Sequence, residues 1–300
     1  MNPAETPPLQ YDVIGIGAAT LDTLHLVPDF PATEGVTQII ASTTDGGGPV
    51  ATALCFLAKH GLSCALLDTF GDDRAGTAIL HGLAECGVEC LTPEPVSHCL
   101  SATAQILVRQ RDGARHIFYQ PGNTPEPVWD DTATAALKNA RLLHINGRHE
   151  NAARAGVQEA LNLGIKISFD GGAGRYRESI RDLVEAADLR ILSRSFAADY
   201  VGSDDLDIIA KTLKSGKPEL LIVTAGTGGS WIWTSTGDHF HQPAIPAHPL
   251  VDTTGCGDIY HGAFIDGWLR HQTPADCTRY AAEQASQNAR ALGGRAVLKN

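Results

Sequence analysis

Two aspartates enclose a run of small residues in the segment VDTTGCGDIYHGAFIDG, which covers residues 251–267. Asp252 closes an extended segment, and Asp258 opens an apolar pattern that is typical of a helix. Gly255 and Gly257 therefore lie at the predicted start of this helix. Glycines at that place let an anion approach the unpaired N–H groups and the positive end of the helix dipole.

This spacing predicts phosphoryl transfer. A carboxylate in the first turn, at Asp258, can take a proton from a hydroxyl while the N–H groups hold a phosphoryl group. A general base of this kind contributes about 10²–10⁴ in rate. On local physics alone, the alternative is that Asp258 only caps a buried helix.

Composition limits the class of protein. The 300 residues are 43% hydrophobic with a net charge of -11, which is typical of a globular protein with one large domain. No Lys/Arg cluster indicates a nucleic-acid partner, and no run of 18 apolar residues indicates a membrane span. Residues 1–10 are polar and proline-rich, so we expect a disordered lead and a cytoplasmic protein. The seven cysteines contain no CxxC pair, which disfavours a disulfide framework or a zinc site.

Strand-like and helix-like segments alternate along residues 11–300, which we interpret as one domain. This order predicts an α/β fold with a mainly parallel sheet, helices on both faces and ligands at the carboxyl ends of the strands. Two segments break the alternation: an extended strand near 35–46 and a hairpin near 101–120, turning at Asp112-Gly113. We expect them to form a small β lid. The alternative is an extra edge hairpin on the main sheet.

The ordered motifs resemble those of the ribokinase-like (PfkB) carbohydrate kinases over nearly the whole chain. The matching segments are GIGAATLD (15–22), GGGPVATALCFLAKHG (46–61), FGDDRAGTAILHGLAECGV (70–88), VTAGTGGSWIW (223–233), DTTGCGD (252–258) and GGRA (293–296). The resemblance implies a three-layer α/β/α core with a small β lid, and phosphorylation of a hydroxyl on a sugar or sugar-derived molecule by ATP.

The resemblance also implies roles for individual residues. Asp258 would be the base, and Gly255, Cys256 and Gly257 would supply the anion hole. Thr224, Gly226, Gly229, Thr254 and Gly294 would bind ATP; Asp22, Gly46 and Gly47 would hold sugar hydroxyls; Asp252 would lie beside a K⁺ site.

One departure from the family concerns Mg²⁺. Ser193 and Phe196 stand where an N-x-x-E motif is expected to organise water around the ion. ATP chemistry still requires Mg²⁺ to neutralise the phosphates, so we expect the ion and leave its protein contacts open. The requirement for K⁺ is likewise open.

The choice of substrate is open in the sequence. Asn146, Arg148 and His149 follow a strand and are specificity candidates, and Arg148 can pair with a carboxylate or phosphate. Weaker candidates on the hairpin are Arg109, Gln105 and Tyr119. A free sugar, a sugar acid, a sugar phosphate and a nucleoside all remain as candidate substrates.

Four further features of the sequence bear on its function. A dinucleotide-dependent oxidoreductase is suggested by GIGAAT, but Thr20 stands where the third glycine is needed. A catalytically silent sugar or nucleotide sensor is suggested by the missing N-x-x-E motif. Cys256 is either a small residue that fills space or a reactive thiol at a helix N-terminus. The exposed lid strands predict a homodimer.

Overall fold

A mainly parallel sheet forms the centre of the protein. The computed structural model describes residues 11–216 and 218–299, and the predicted lead at residues 1–10 lies outside them. The strands described are β1 (Val13–Ile16), β2 (Thr20–Val27), β3 (Ala41–Gly47), β4 (Cys64–Leu67), β5 (Val88–Cys90), β6 (Thr103–Arg109), β7 (Arg115–Gln120), β8 (Leu142–Ile145), β9 (Lys166–Gly171), β10 (Leu189–Ser193), β11 (Leu220–Thr224), β12 (Ser230–Thr234) and β13 (His239–Gln242).

The large sheet has the order β13-β12-β11-β10-β9-β8-β1-β4-β5. The seven strands β11-β10-β9-β8-β1-β4-β5 pair in parallel, and β12 and β13 add an antiparallel edge next to β11. The central strands read VIGI, LLHI and LLIVT and are buried almost throughout, as expected for parallel strands covered on both faces. The carboxyl ends of β1, β8, β9, β10 and β11 therefore lie along one edge of the sheet.

Helices cover both faces of the large sheet. Those described are α1 (Pro49–Lys59), α2 (Arg74–Cys86), α3 (Asp131–Lys138), α4 (Glu150–Leu163), α5 (Arg181–Ala186), α6 (Arg194–Val201), α7 (Leu206–Leu213), α8 (Cys256–Leu269) and α9 (Pro274–Asn288). One apolar core joins the sheet to α1, α2, α8 and α9, and the other joins it to α3–α7. The predicted α/β/α layers are confirmed.

A separate small sheet stands beside these layers, with the order β3-β2-β6-β7. The alternative of an edge hairpin on the main sheet is therefore wrong. Strand β2 was not expected here, because the apolar run from β1 continues into it and hides the point at which the chain leaves the main sheet. The strand predicted near 35–46 is β3, which begins only at Ala41, so residues 35–40 lie outside it.

No helix in the described ranges is long and apolar enough to cross a membrane.

Candidate active site

The loop before α8 is the segment in which the sequence predicts an anion hole. Gly255 caps the helix with a φ of 72°, a left-handed conformation that favours glycine. A Cβ atom at Gly255 would lie 1.9 Å from the carbonyl oxygen of Gly294, whereas one at Gly257 would meet nothing within 4 Å. Cys256 N donates to Thr253 O at 3.4 Å, whereas the next two N–H groups, of Gly257 and Asp258, lack an acceptor within the helix and are available to an anion.

Asp258 lies in the first turn of α8, next to the Gly255 turn, and is half-buried there. Its burial and the neighbouring Asp170 carboxylate raise the pKa of Asp258 to about 6, against the opposing charges of Arg175, His261 and Arg115. A carboxylate with such a pKa is ionised at neutral pH and is still basic enough to accept a proton. The surroundings of Asp258 therefore suit a general base better than a simple helix cap.

Asp252 connects the anion-hole loop to the loop that follows α9. It is fully buried, and its Oδ1 accepts a hydrogen bond from Thr254 N (2.8 Å) while Oδ2 accepts one from Gly293 N (3.0 Å). Asn288 Nδ2 donates to Thr254 O at 2.9 Å. The buried Thr254 Oγ1 has no hydrogen-bond partner within 11–216 and 218–299. The Asp252 carboxylate and Thr254 Oγ1 are oxygen ligands of the kind that a monovalent cation takes, so these two residues would hold such an ion.

The small sheet brings Asp22 against the glycine turn at the end of β3. Thr20 Oγ1 donates to Asp22 Oδ1 at 2.6 Å, and a Cβ atom at Gly47 would lie 2.1 Å from Asp22 Oδ2. A side chain at Gly46 would meet the guanidinium of Arg295 at 2.3 Å. Burial raises the pKa of Asp22. The structure therefore brings together Asp22, Gly46 and Gly47, the three residues to which the family resemblance assigns the sugar hydroxyls.

Arg295 holds this turn in place, and the sequence reasoning missed its role. Its backbone N–H donates to Asp45 Oδ2 (3.1 Å), its Nη2 to Gly47 O (3.0 Å) and its Nε to Thr52 Oγ1 (3.1 Å). The carbonyl oxygen of the preceding residue, Gly294, lies against Gly255 in the loop before α8. The GGRA segment thus connects the two glycine turns. In the sequence, the signal for this role was one arginine among three small residues; the structure shows that this arginine is buried.

The predicted nucleotide residues follow the carboxyl end of β11. Thr224 pairs with Ser193 at the end of β10, and Gly226 begins a short 3₁₀ turn. Gly229 has a φ of 82°, and a Cβ atom there would lie 2.2 Å from Gln242 O. These three predicted residues line one corner of the sheet edge, and the glycines shape the turn.

The positions that replace the N-x-x-E motif supply no carboxylate. Ser193 Oγ accepts a hydrogen bond from Phe196 N and caps α6, and the Phe196 ring is fully buried. Within the described residues, no group of three or more His, Cys, Asp or Glu side chains is placed to hold a metal ion. A Mg²⁺ ion that accompanies ATP would therefore be held by phosphate oxygens and water rather than by Ser193 or Phe196.

The turn of the small sheet's hairpin docks on the anion-hole loop. Thr253 donates from N and from Oγ1 to Gly113 O, at 3.1 and 2.8 Å. Arg115 Nη1 in turn donates to Thr253 Oγ1 at 3.1 Å. The sequence reasoning did not include Arg115. Counting alternate residues from the Asp112-Gly113 turn would have placed it on the inner face of the hairpin.

The residues after β8 gather at the other end of the site. Asn146 Oδ1 accepts from Arg148 N at 3.1 Å, and the Arg148 guanidinium contacts the hydroxyl of Tyr119 and lies 5.2 Å from its ring centre. His149 Nε2 lies 2.8 Å from Asp68 Oδ1. All three specificity candidates after β8, together with Tyr119, therefore meet at one place.

Two of the weaker hairpin candidates lie elsewhere. Arg109 forms two 2.9 Å bonds to the carboxylate of Asp112. Gln105 is exposed on the opposite face of β6 from Ala104 and contacts His25. The structure does not bring Arg109 or Gln105 to the site, because one is held in the hairpin turn and strand alternation points the other away.

The thiol of Cys256 is not activated by its position. Burial raises the pKa of Cys256 to about 12. A thiol with this pKa is protonated at neutral pH and is a weak nucleophile. This favours the interpretation that Cys256 fills the space of a small residue.

Comparison with known proteins identifies the family. The pfkB family carbohydrate kinase model matches residues 11–300. The chain belongs to the PfkB family. PfkB kinases are ATP-dependent phosphotransferases that act on sugars, so the protein is an ATP-dependent carbohydrate kinase. The oxidoreductase and silent-sensor alternatives are therefore not supported.

Individual relatives match most of the length of this chain. An ATP-dependent ribose-1-phosphate kinase from Halopiger xanaduensis is 27% identical over 86% of this chain and 84% of its own length. A nucleoside kinase from Methanothermobacter thermautotrophicus is 26% identical over 92% of this chain and 88% of its own. The structure of Arabidopsis thaliana ribokinase with ribose and ATP superposes with a TM-score of 0.77, at 21% identity over 96% of this chain and 98% of that one. This PfkB member thus shares the ribokinase fold.

Proposed function

We propose that the protein transfers the γ-phosphoryl group of ATP to a hydroxyl of a sugar or sugar-derived molecule, with Asp258 as the general base. The observation that carries this proposal is the position of Asp258. Its carboxylate lies in the first turn of α8, beside N–H groups that have no acceptor within the helix, and burial and Asp170 raise its pKa to about 6. Asp258 removes the hydroxyl proton as the oxygen attacks phosphorus.

The transferred group carries negative charge that this chain must stabilise. The N–H groups of Gly255, Cys256 and Gly257 face it at the positive end of α8, and Arg115 adds a cation from the small sheet. The ATP site comprises Thr224, Gly226, Gly229, Thr254 and Gly294. Because backbone geometry fixes the N–H groups of Gly255, Cys256 and Gly257, little reorganisation is needed when the phosphoryl group passes from the ATP oxygen to the hydroxyl oxygen of the sugar.

The sugar lies between the glycine turn and the end of β8. Asp22 accepts hydrogen bonds from two hydroxyls, which suits a vicinal diol, while Gly46 and Gly47 let the ring approach the backbone. Asn146 is buried at the carboxyl end of β8 and orients the ring from the other side. This arrangement selects a polyhydroxylated ligand and points one hydroxyl at Asp258.

Two cations complete the proposal. Mg²⁺ accompanies ATP and neutralises charge on its phosphates. K⁺ would be held by Asp252 and Thr254, behind the anion hole, where it would fix the orientation of the loop. Neither role requires Ser193 or Phe196.

The small sheet serves as a lid and as the contact of a cytoplasmic homodimer in this proposal. Edge strands β3 and β7 leave backbone groups free to pair, and Ile39, Ile40 and Phe118 are large exposed apolar residues near them. Light scattering at micromolar concentration should therefore give the mass of a dimer. A monomer at that concentration would contradict this part of the proposal.

The proposal is tested by ADP release with ATP, Mg²⁺ and K⁺ against sugars, sugar acids, sugar phosphates and nucleosides. Nucleosides are included because one relative is a nucleoside kinase. Asp258→Asn should lower kcat by at least about 10²-fold on the preferred compound. Asp276→Asn is the matched control, since Asp276 occupies the same first-turn position of α9 but lies on the surface.

The outcomes separate the alternatives. Turnover that is lost in Asp258→Asn and kept in Asp276→Asn supports the assigned base. Turnover that survives Asp258→Asn contradicts it, although the protein would remain a kinase. Equal losses in both variants would mean that a helix-terminal carboxylate matters only for stability.

A further inference from the structure

A cavity of about 550 Å³ opens at the sugar end of the site. It is lined by the link between β1 and β2 (Ala18, Ala19), by the link between β8 and α4 (Arg148, His149) and by Tyr119 of the small sheet. Asp22 and Asp258 are not among its lining residues, so the cavity extends the site away from the anion hole. A substrate that reaches into it must be longer than the sugar ring alone.

The inner face of β7 spans the distance between these two ends. Arg115, Ile117 and Tyr119 share one face of the sheet, because each pairs with a buried residue of β6. These partners are Val108, Ile106 and Ala104, in the same order. Arg115 reaches the anion-hole loop and Tyr119 reaches Arg148, four residues or about 13 Å further along the strand. Ile117, between them, is 45% exposed. The face therefore leaves room for a phosphoryl group, a sugar ring and one further substituent in a row.

The acidic groups of the cavity already have partners. Asp68 accepts from Ala19 N at 2.7 Å and contacts His149 at 2.8 Å. Glu126 accepts from two backbone N–H groups at the start of α4. Glu150 pairs with the remaining two arginines of the lining, which are Arg154 and Arg177. These carboxylates are therefore not free to receive a cationic ligand.

Arg148 differs from the other arginines of the cavity. Within residues 11–216 and 218–299 its guanidinium pairs with no carboxylate, and its contacts are the hydroxyl and the ring of Tyr119. A guanidinium carries five N–H donors, so most of them remain for a ligand. Planar anions such as carboxylates, and phosphates, bind this group through two parallel hydrogen bonds.

The backbone holds Arg148 in this position. The side chain of Asn146 accepts from the Arg148 N–H, and the next residue, His149, has a φ of 54°. A residue other than glycine rarely adopts this conformation, and such strain concentrates at ligand-binding sites. The contact between His149 and Asp68 stabilises it and fixes the direction in which the chain leaves β8.

We propose that the substrate carries a phosphate or carboxylate group at the end remote from the hydroxyl that is phosphorylated, and that Arg148 binds this group inside the cavity. Tyr119 stacks on the guanidinium and holds it toward the ligand. This inference rests on the proposed function, because it takes Asp258 to mark the reacting end. It narrows the substrate class to anionic sugars.

Steady-state kinetics on matched pairs test the inference. The pairs are D-ribose 1-phosphate with D-ribose, and D-gluconate with D-glucitol, its neutral open-chain counterpart. In the wild-type protein, kcat/KM should be about 10–10²-fold higher for the anionic member of at least one pair. Arg148→Gln should abolish this preference mainly by raising KM, because the contact is made equally before and during reaction. Arg148→Lys should keep part of it.

Arg279→Gln serves as the control, since it removes the same charge from the exposed surface of α9. A wild-type preference for the neutral sugars, or a preference that survives Arg148→Gln, overturns the inference. The proposed function would still hold in that case if Asp258→Asn is inactive.

Titration calorimetry without nucleotide covers the case in which no pair is turned over. Tighter binding of D-ribose 1-phosphate than of D-ribose by the wild type, absent in Arg148→Gln, supports the anion site even if phosphorylation fails. Equal or undetectable binding of the two compounds overturns it.

Discussion

The two glycines of the anion hole should respond in opposite ways to alanine. In Gly255→Ala, a residue other than glycine is forced into the left-handed conformation, which costs about 1–2 kcal/mol. The added Cβ would also lie 1.9 Å from Gly294 O, which is backbone and cannot rotate away. Moving it disturbs the hydrogen bond from Gly293 N to the Asp252 carboxylate, and such a bond contributes about 1.5–3 kcal/mol.

We therefore expect Gly255→Ala to lower the free energy of unfolding by about 3 kcal/mol or more. For a chain of 300 residues that corresponds to a fall in Tm of about 5 °C or more. Gly257→Ala is the matched variant, since its Cβ meets nothing within 4 Å and its position is the second residue of α8. Its Tm should stay the same or rise, because alanine is favoured over glycine in a helix by up to about 1 kcal/mol.

Activity should separate from stability in this pair. The methyl group of Gly257→Ala enters the space of the phosphoryl group, and displacement by about 1 Å costs about 10² in kcat/KM. Differential scanning calorimetry and ADP release on the same preparations give both quantities. A Tm for Gly255→Ala within about 2 °C of the wild type, or an equal loss of stability in Gly257→Ala, would refute the reasoning.

Two further predictions concern charges around the base. kcat/KM should fall below about pH 6, where Asp258 becomes protonated, and reach a plateau above it; in Asp170→Asn this acid limb should move to lower pH, because a repelling carboxylate is gone. An unchanged midpoint in Asp170→Asn would contradict this assignment. Arg115→Gln should lower kcat by about 10²-fold, while Arg111→Gln, which removes an exposed charge of the same hairpin, should leave kcat unchanged; equal effects would argue against a specific role for Arg115.

Local spacing was sufficient to predict a glycine turn and a first-turn carboxylate at the start of α8, while their role in holding a phosphoryl group came from the family resemblance. Asp258, Gly255 and Gly257 lie within four positions of one another, and the physics of a helix start acts at that range. The alternating order of strands and helices likewise predicted the layers, because each element carries its own periodicity. The hairpin turns where Asp112-Gly113 predicted, but its loop is longer than those two residues: it covers 110–113, so that Val108 pairs with Arg115.

The remaining parts of the site depend on contacts between distant segments. Arg115 meets Thr253 across 138 positions, and Arg295 meets Asp45 across 250. Nothing in the neighbourhood of either arginine in the sequence indicates its partner, since the tertiary fold alone brings them together. The membership of β2 in the small sheet was missed for a related reason: hydrophobicity shows that a segment is buried but not which sheet it joins.

The connection made by residues 293–295 has a consequence for the order of synthesis. These residues touch Asp45 and Gly47 from the first quarter of the chain and Gly255 from the last. On a ribosome they emerge after every other segment that builds the site. A nascent chain can therefore form much of its sheet while its two glycine turns are still unsupported, so the candidate site is completed only after residues 293–295 have left the ribosome.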